Sequence, residues 1–195
     1  MGCFASRNNR IEIVVSVAEA TSTSRIRDIP LSHEQKCILR EFWQLIEPIK
    51  SVIGKKVFGR LFESNPRIQD IFPAFKSLKL EAVINSRSLY LHVRRVMTAL
   101  ENAIFSLNDA EVFIEYLMNL GERHKAWPVR LEHFDMIEEA LIWTLKDSFP
   151  TKCTDYVAET WRELFRFISA TMMRGLRRAN TGKWDFKVRE PVDWE

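Results

Sequence analysis

The chain has 195 residues, of which 46% are hydrophobic and 28% charged, a balance that predicts one globular domain with terminal tails. Its net charge of +3 is too mild for a nucleic-acid-binding protein, which typically carries a dense basic stripe. Three cysteines, an odd and sparse count, favour a reducing compartment, and no apolar run approaches the roughly 20 residues that span a bilayer.

The first segment in chain order is a tail over residues 1–30. It holds a β-prone run at 11–17 and a Ser/Thr-rich stretch that ends at Pro30, and we expect a flexible linker. The alternative is a strand-like arm packed on the domain, but nothing nearby would supply its partner strand. A single domain is predicted over residues 31–179, followed by a polar C-terminal tail over 180–195.

From residue 31 onward, apolar residues recur with helical spacing. Ser32 and Gln35 match a capping box, which predicts that a helix begins there. Later helices are expected over 79–105, from an Asn108–Asp109 cap to Pro128, over 130–148 and over 154–178. Alternation with a period of two is rare, so the predicted fold class is all-α.

Two histidines stand on the apolar faces of separate predicted helices: His92 behind Leu89, and His124 behind Leu120. Burying an imidazole costs free energy unless a hydrogen bond or a metal compensates. One such histidine is more often a satisfied core residue, but two raise the odds of a shared ligand. They do not suit a structural zinc site, which needs four ligands, and they would suit a planar iron cofactor between two helices.

The sequence around these histidines resembles the globin family. RLFESNPRIQDIFPAFKSL is similar to the globin segment from the B helix through the C helix into the next corner. In it Pro66 matches the proline that opens the C helix, and Phe72 matches the phenylalanine that packs flat on haem. LHVRRVMTAL resembles the E helix, with His92 at the distal position, and LGERHKAW resembles the F helix, with His124 at the proximal position.

The resemblance covers roughly residues 31–179 and implies a globin fold, with helices A–H packed around a pocket for haem b. It implies that His124 is the proximal iron ligand, oriented by a hydrogen bond from its Nδ1 to the carbonyl of Leu120. It makes His92 the distal residue and a candidate sixth iron ligand. Oxygen and other small haem ligands are the expected partners.

Other pocket residues follow from the same resemblance. Phe72 is expected to pack on the macrocycle, Phe58 to occupy the distal pocket, and Val96 to lie one turn beyond His92. Phe58 could equally be an ordinary core residue. Arg95 could reach a haem propionate, or could be a solvated surface charge, and the two interpretations are about equal.

Several functions remain open at this point. If His92 donates a hydrogen bond to oxygen, reversible oxygen transport or storage follows. If it binds the iron, the protein is bis-histidyl like neuroglobin-type and cytoglobin-type globins, which are associated with redox or sensing roles. An enzyme, such as a nitric oxide dioxygenase, a peroxidase-like globin or a superoxide generator, would need an external electron donor. A haem-free helical interaction module would have no reason to keep His124.

The N-terminal sequence MGCFAS matches the myristoylation pattern, with Gly2 as the acceptor. One myristoyl chain binds membranes only marginally, with an association constant on the order of 10⁴ M⁻¹, so a second signal is expected. Cys3 would supply it as a palmitoylation site, although an unmodified tail or a free redox thiol are the alternatives. We therefore expect a lipid anchor at the cytoplasmic face of the cell membrane, alongside a cytoplasmic pool. Such an anchor favours redox signalling or electron transfer, with an unidentified donor or acceptor, over oxygen storage.

Overall fold

A computed structural model describes residues 29–180, and over this range the chain is helical and contains no β-strand. The α-helices of this range are α1 His33–Ile46, α2 Lys50–Ser64, α3 Leu80–Ile84, α4 Arg87–Phe105, α5 Ala110–Arg123, α6 Leu131–Ser148 and α7 Asp155–Asn180. Short 3₁₀ helices cover Glu47–Ile49, Pro66–Ile71 and His124–Ala126. Gly2 and Cys3, and most of both predicted tails, lie outside the described residues.

Helix α1 begins where its capping box predicts. The backbone N–H of Gln35 donates to the hydroxyl of Ser32 at 3.1 Å, and the N–H of Ser32 donates to Oε1 of Gln35 at 2.8 Å. These two bonds satisfy donors that a helix N-terminus leaves without partners, so the cap defines the start of the helix.

The helix expected over 79–105 is two helices. The backbone N–H of Asn85 bonds to the carbonyl of Glu81, which ends α3, and the hydroxyl of Ser86 accepts from the N–H of Leu89, which starts α4. A polar Asn-Ser pair thus ends one helix and caps the next. The apolar periodicity runs through this break because both helices face the same core.

Helices α2, α4, α5, α6 and α7 pack around a core whose most deeply buried large side chains include Phe58, Phe113 and Trp161. Gly54 lets α2 and α4 approach closely, since an added Cβ there would lie 2.6 Å from Cγ1 of Val93. None of the helices within residues 29–180 is both long enough and apolar enough to cross a membrane.

Helix α5 lies against α7 at a crossing formed by two glycines. A Cβ added to Gly121 would sit 1.9 Å from the carbonyl oxygen of Met172, and one added to Gly175 would sit 2.0 Å from that of Met118. The two contacts are reciprocal and involve backbone atoms, so only glycine fits at either position. They hold the end of α5, and with it His124, at a defined place on α7.

Candidate functional site

His124 follows the last residue of α5 and opens the 3₁₀ turn His124–Ala126. Its ring is half-buried, and its Nδ1 lies 2.7 Å from the carbonyl oxygen of Leu120. Because a carbonyl only accepts, Nδ1 is the nitrogen that carries the proton. In the neutral imidazole this hydrogen bond leaves the lone pair on Nε2, which is the arrangement a histidine needs to ligate a metal.

His92 lies on α4 between two phenylalanine rings. Its ring centroid is 5.2 Å from that of Phe58 and 5.4 Å from that of Phe72, both in edge-on geometry. Burial lowers the pKa of His92 from 6.5 to about 4, with further contributions from the charges of His124 and Arg95. His92 is therefore neutral at pH 7 and has a lone pair available for a metal.

The wall on the His92 side is a cluster of four aromatic rings. Phe72 follows the Pro66–Ile71 turn and stacks on Phe75 with centroids 5.3 Å apart. Phe62 contacts both rings edge-on and also lies 6.0 Å from Phe58. Phe62 is not among the residues predicted from the sequence, although its position one helical turn after Phe58 was a usable signal.

The remaining predicted residues lie on the same side of α4. Val96 is partly buried against the core, and with Phe58 it lines a small apolar cavity that extends to Ile137 on α6. Arg95 is exposed, and its charge acts on the imidazole of His92. The structure thus brings Phe58 and Phe72 to the N-terminal half of α4, where His92, Arg95 and Val96 lie. Leu120 of α5 accepts the hydrogen bond of His124.

Trp127 is a neighbour of His124 that sequence reasoning missed. Its ring centroid lies 6.2 Å from that of His124, at an interplanar angle of 62°. The indole is 44% exposed. The only sequence signal was its place three residues after the histidine and directly before Pro128.

These residues fit a planar iron cofactor. Over residues 29–180 no cluster of three or more His, Cys, Asp or Glu side chains forms a metal site by itself. A metal between His92 and His124 would therefore take its other ligands from the cofactor that carries it. Nε2 of His124, the neutral imidazole of His92 and the apolar aromatic wall match what the two faces of a haem require.

Known proteins similar to this chain share its family and fold. The family model described as Globin matches residues 55–172. Neuroglobin from Tetraodon nigroviridis is 28% identical over 156 residues, covering 80% of this chain and 98% of that protein. Neuroglobin from Danio rerio is 27% identical over 146 residues, covering 74% and 92%. A crystal structure of a hexacoordinated heme protein from an anhydrobiotic tardigrade superposes with a TM-score of 0.71 at 21% identity, covering 79% of this chain and 99% of that one, which establishes the shared fold.

Proposed function

The chain belongs to the globin family, and from that premise we propose that it binds haem b with His124 as proximal and His92 as distal iron ligand. The observation that carries the proposal is the pairing of two histidines on separate helices, each with a nitrogen lone pair available. The neuroglobins and the hexacoordinated heme protein to which the chain is similar support the same assignment.

A bound haem supplies an iron that exchanges one electron and takes up oxygen and other small ligands. The side chains around this iron determine which ligands can reach it. His92, neutral at pH 7, competes with any incoming ligand for the iron. The apparent affinity for that ligand is therefore the intrinsic affinity multiplied by the fraction of chains in which His92 is off the iron. Phe58 and Phe72 flank His92 and offer no hydrogen bond to a ligand. Arg95, exposed on the same helix, is the residue we assign to a haem propionate.

A ligand site closed by an internal histidine suits electron transfer or redox signalling better than bulk oxygen storage. We infer that the protein acts in that role at the cytoplasmic face of the cell membrane. The support for this location is the acylation pattern at Gly2 and Cys3. An electron donor or acceptor outside this chain would complete the function.

The test is the optical spectrum of the haem-reconstituted protein, reduced without oxygen. The wild-type protein is expected to show sharp, split low-spin bands because His92 and His124 would both bind the iron. The variant His92→Leu should keep haem but give a broad high-spin spectrum, and His124→Ala should lose haem on gel filtration. His33→Leu, which changes an exposed histidine on α1, is the matched control and should behave as wild type.

Two results would contradict the assignment. A high-spin spectrum of the reduced wild-type protein would show that His92 does not bind iron. Undiminished haem retention by His124→Ala would show that another residue is the proximal ligand.

A further inference from the structure

Trp127 connects the proposed proximal ligand to the protein surface. Its ring lies beside that of His124, yet 44% of the residue is exposed. Elsewhere in residues 29–180, Trp43 and Trp161 are buried. Trp143 is 41% exposed, but the guanidinium of Arg60 lies over its ring at 4.5 Å. An uncovered indole in contact with a candidate iron ligand calls for an explanation beyond packing.

The backbone holds this indole in place. The N–H of Trp127 donates to the carbonyl of His124 at 3.0 Å, and its own carbonyl accepts from the N–H of Val129 at 2.8 Å. Its φ of −123° and ψ of 152° are the extended values that a residue before proline prefers, and Pro128 follows. The exposed ring is thus presented by a rigid turn, which lowers the entropic cost of a contact with a partner.

The surface around Trp127 is basic. Residues 123–130 include Arg123, Lys125 and Arg130, all exposed, and no acidic residue. The half-exposed side chain of Leu131 follows directly. Arg130 pairs with Glu132 at 3.2 Å, but both side chains are exposed, so this pair screens its charge only partly. We call Arg123, Lys125, Trp127, Arg130 and Leu131 the proximal patch.

We propose that the proximal patch is the docking surface for an acidic one-electron flavoprotein, a statement that rests on the proposed haem site. An exposed aromatic residue with a charged rim is the usual anatomy of a protein interface, and its basic rim selects a partner of opposite charge. Trp127 of the patch contacts the ring of His124, so a partner bound there lies next to the proposed proximal ligand. In the transfer, the anionic reduced flavin loses one electron and becomes its neutral radical, while ferric iron becomes ferrous. No bond forms or breaks, and no proton moves.

The probe is flavodoxin, an acidic flavoprotein, used with the ferric haem-loaded protein. Stopped-flow reduction without oxygen should give a second-order rate constant that falls with ionic strength. Lys125→Glu should lower that constant about tenfold at low salt and flatten its salt dependence. Trp127→Leu should lower the rate but keep the salt dependence, since the charged rim remains. Calorimetric binding of oxidised flavodoxin, in which no electron moves, should weaken about tenfold in Lys125→Glu.

Lys152→Glu is the matched control. It makes the same change in net charge, but Lys152 is exposed beyond the opposite end of α6, about 27 Å along that helix from the patch. It should leave both the rate and the binding within twofold of wild type.

The outcomes separate this proposal from the proposed function. A wild-type chain that holds no haem refutes the proposed function, and the calorimetric comparison still decides the patch. If Lys125→Glu and Lys152→Glu behave alike in both measurements, the docking proposal is wrong. It is also wrong if Lys125→Glu leaves flavodoxin binding intact and weakens only the binding of unacylated protein to phosphatidylserine vesicles, because the patch would then contact lipid.

Discussion

His92 and His133 show how the surroundings of a histidine decide its chemistry. His92 is enclosed by phenylalanine rings and faces the charges of His124 and Arg95, all of which favour its neutral form. His133 also has a lowered pKa through burial, but its Nδ1 accepts a hydrogen bond from the backbone N–H of Arg130 and the charge of Glu132 opposes the shift. His133 therefore caps the start of α6, whereas a ring nitrogen of His92 remains available to bind a ligand.

The lowered pKa of His92 predicts how the stability of the haem-free protein depends on pH. The unfolded chain takes up a proton on this residue near pH 6.5, whereas the folded chain resists it until about pH 4. The unfolded state then binds more protons in this window, so stability falls as pH drops from 6.5 to 4. His92→Leu should remove this part of the dependence, as measured by urea unfolding at pH 7, 5.5 and 4.5. Parallel pH curves for wild type and His92→Leu would refute the prediction, and His33→Leu serves as the control.

At the scale of elements, the crossing of α5 and α7 positions the proximal side of the site. Gly121 precedes His124 by three residues and meets the backbone of α7 directly. A close-packed contact between two backbones cannot adjust by rotating a side chain. The place of His124 is therefore tied to the absence of a side chain at residue 121.

Gly121→Ala should force the two helices apart and displace His124. We expect a loss of about 1–3 kcal/mol in the free energy of unfolding, typical of overpacking, and faster transfer of haem to an excess of an acceptor apoprotein. Gly59→Ala is the matched control inside α2. Its added Cβ would meet Cδ1 of Ile84 at an ordinary 3.6 Å, and alanine favours a helix over glycine by roughly 1 kcal/mol, so this variant should be slightly more stable. Equal haem retention in Gly121→Ala and wild type would show that the crossing does not hold the proximal ligand.

At the scale of the whole molecule, we propose that two regions of the chain carry separate tasks, membrane attachment and haem binding. Within residues 29–180, the candidate ligands and the aromatic wall lie on α2, α4, α5 and the turns beside them. Gly2 and Cys3 are remote from it in the sequence. Attachment and haem chemistry should therefore respond to different substitutions.

Gly2→Ala should move the protein from the membrane to the soluble fraction of fractionated cells, because it removes the myristoylation site. Without the myristoyl chain, the neighbouring Cys3 should not be palmitoylated either. Cys3→Ser should release most of the protein, since a single myristoyl chain binds only marginally. The optical spectrum of both variants should match wild type. Cys37→Ser, at a half-buried cysteine of α1, is the control and should stay on the membrane. Persistence of Gly2→Ala on membranes would exclude myristoylation as the anchor.

The sequence by itself determined the all-α globin fold and most helix bounds. The capping box of Ser32, and the limits of α6 and α7 to within two residues, follow from hydrogen bonds and apolar spacings among residues that are close in the chain. The identity of His92 and His124 as the notable polar residues on apolar faces was readable for the same reason.

Only the tertiary structure revealed several further contacts around those histidines. Phe62 joins the aromatic wall, Trp127 lies on the ring of His124, and Gly121 meets Met172. Each depends on where distant elements cross or how a turn aims a side chain. The same is true of the lowered pKa of His92, because burial and the charge of a residue 32 positions away exist only after the helices have packed together.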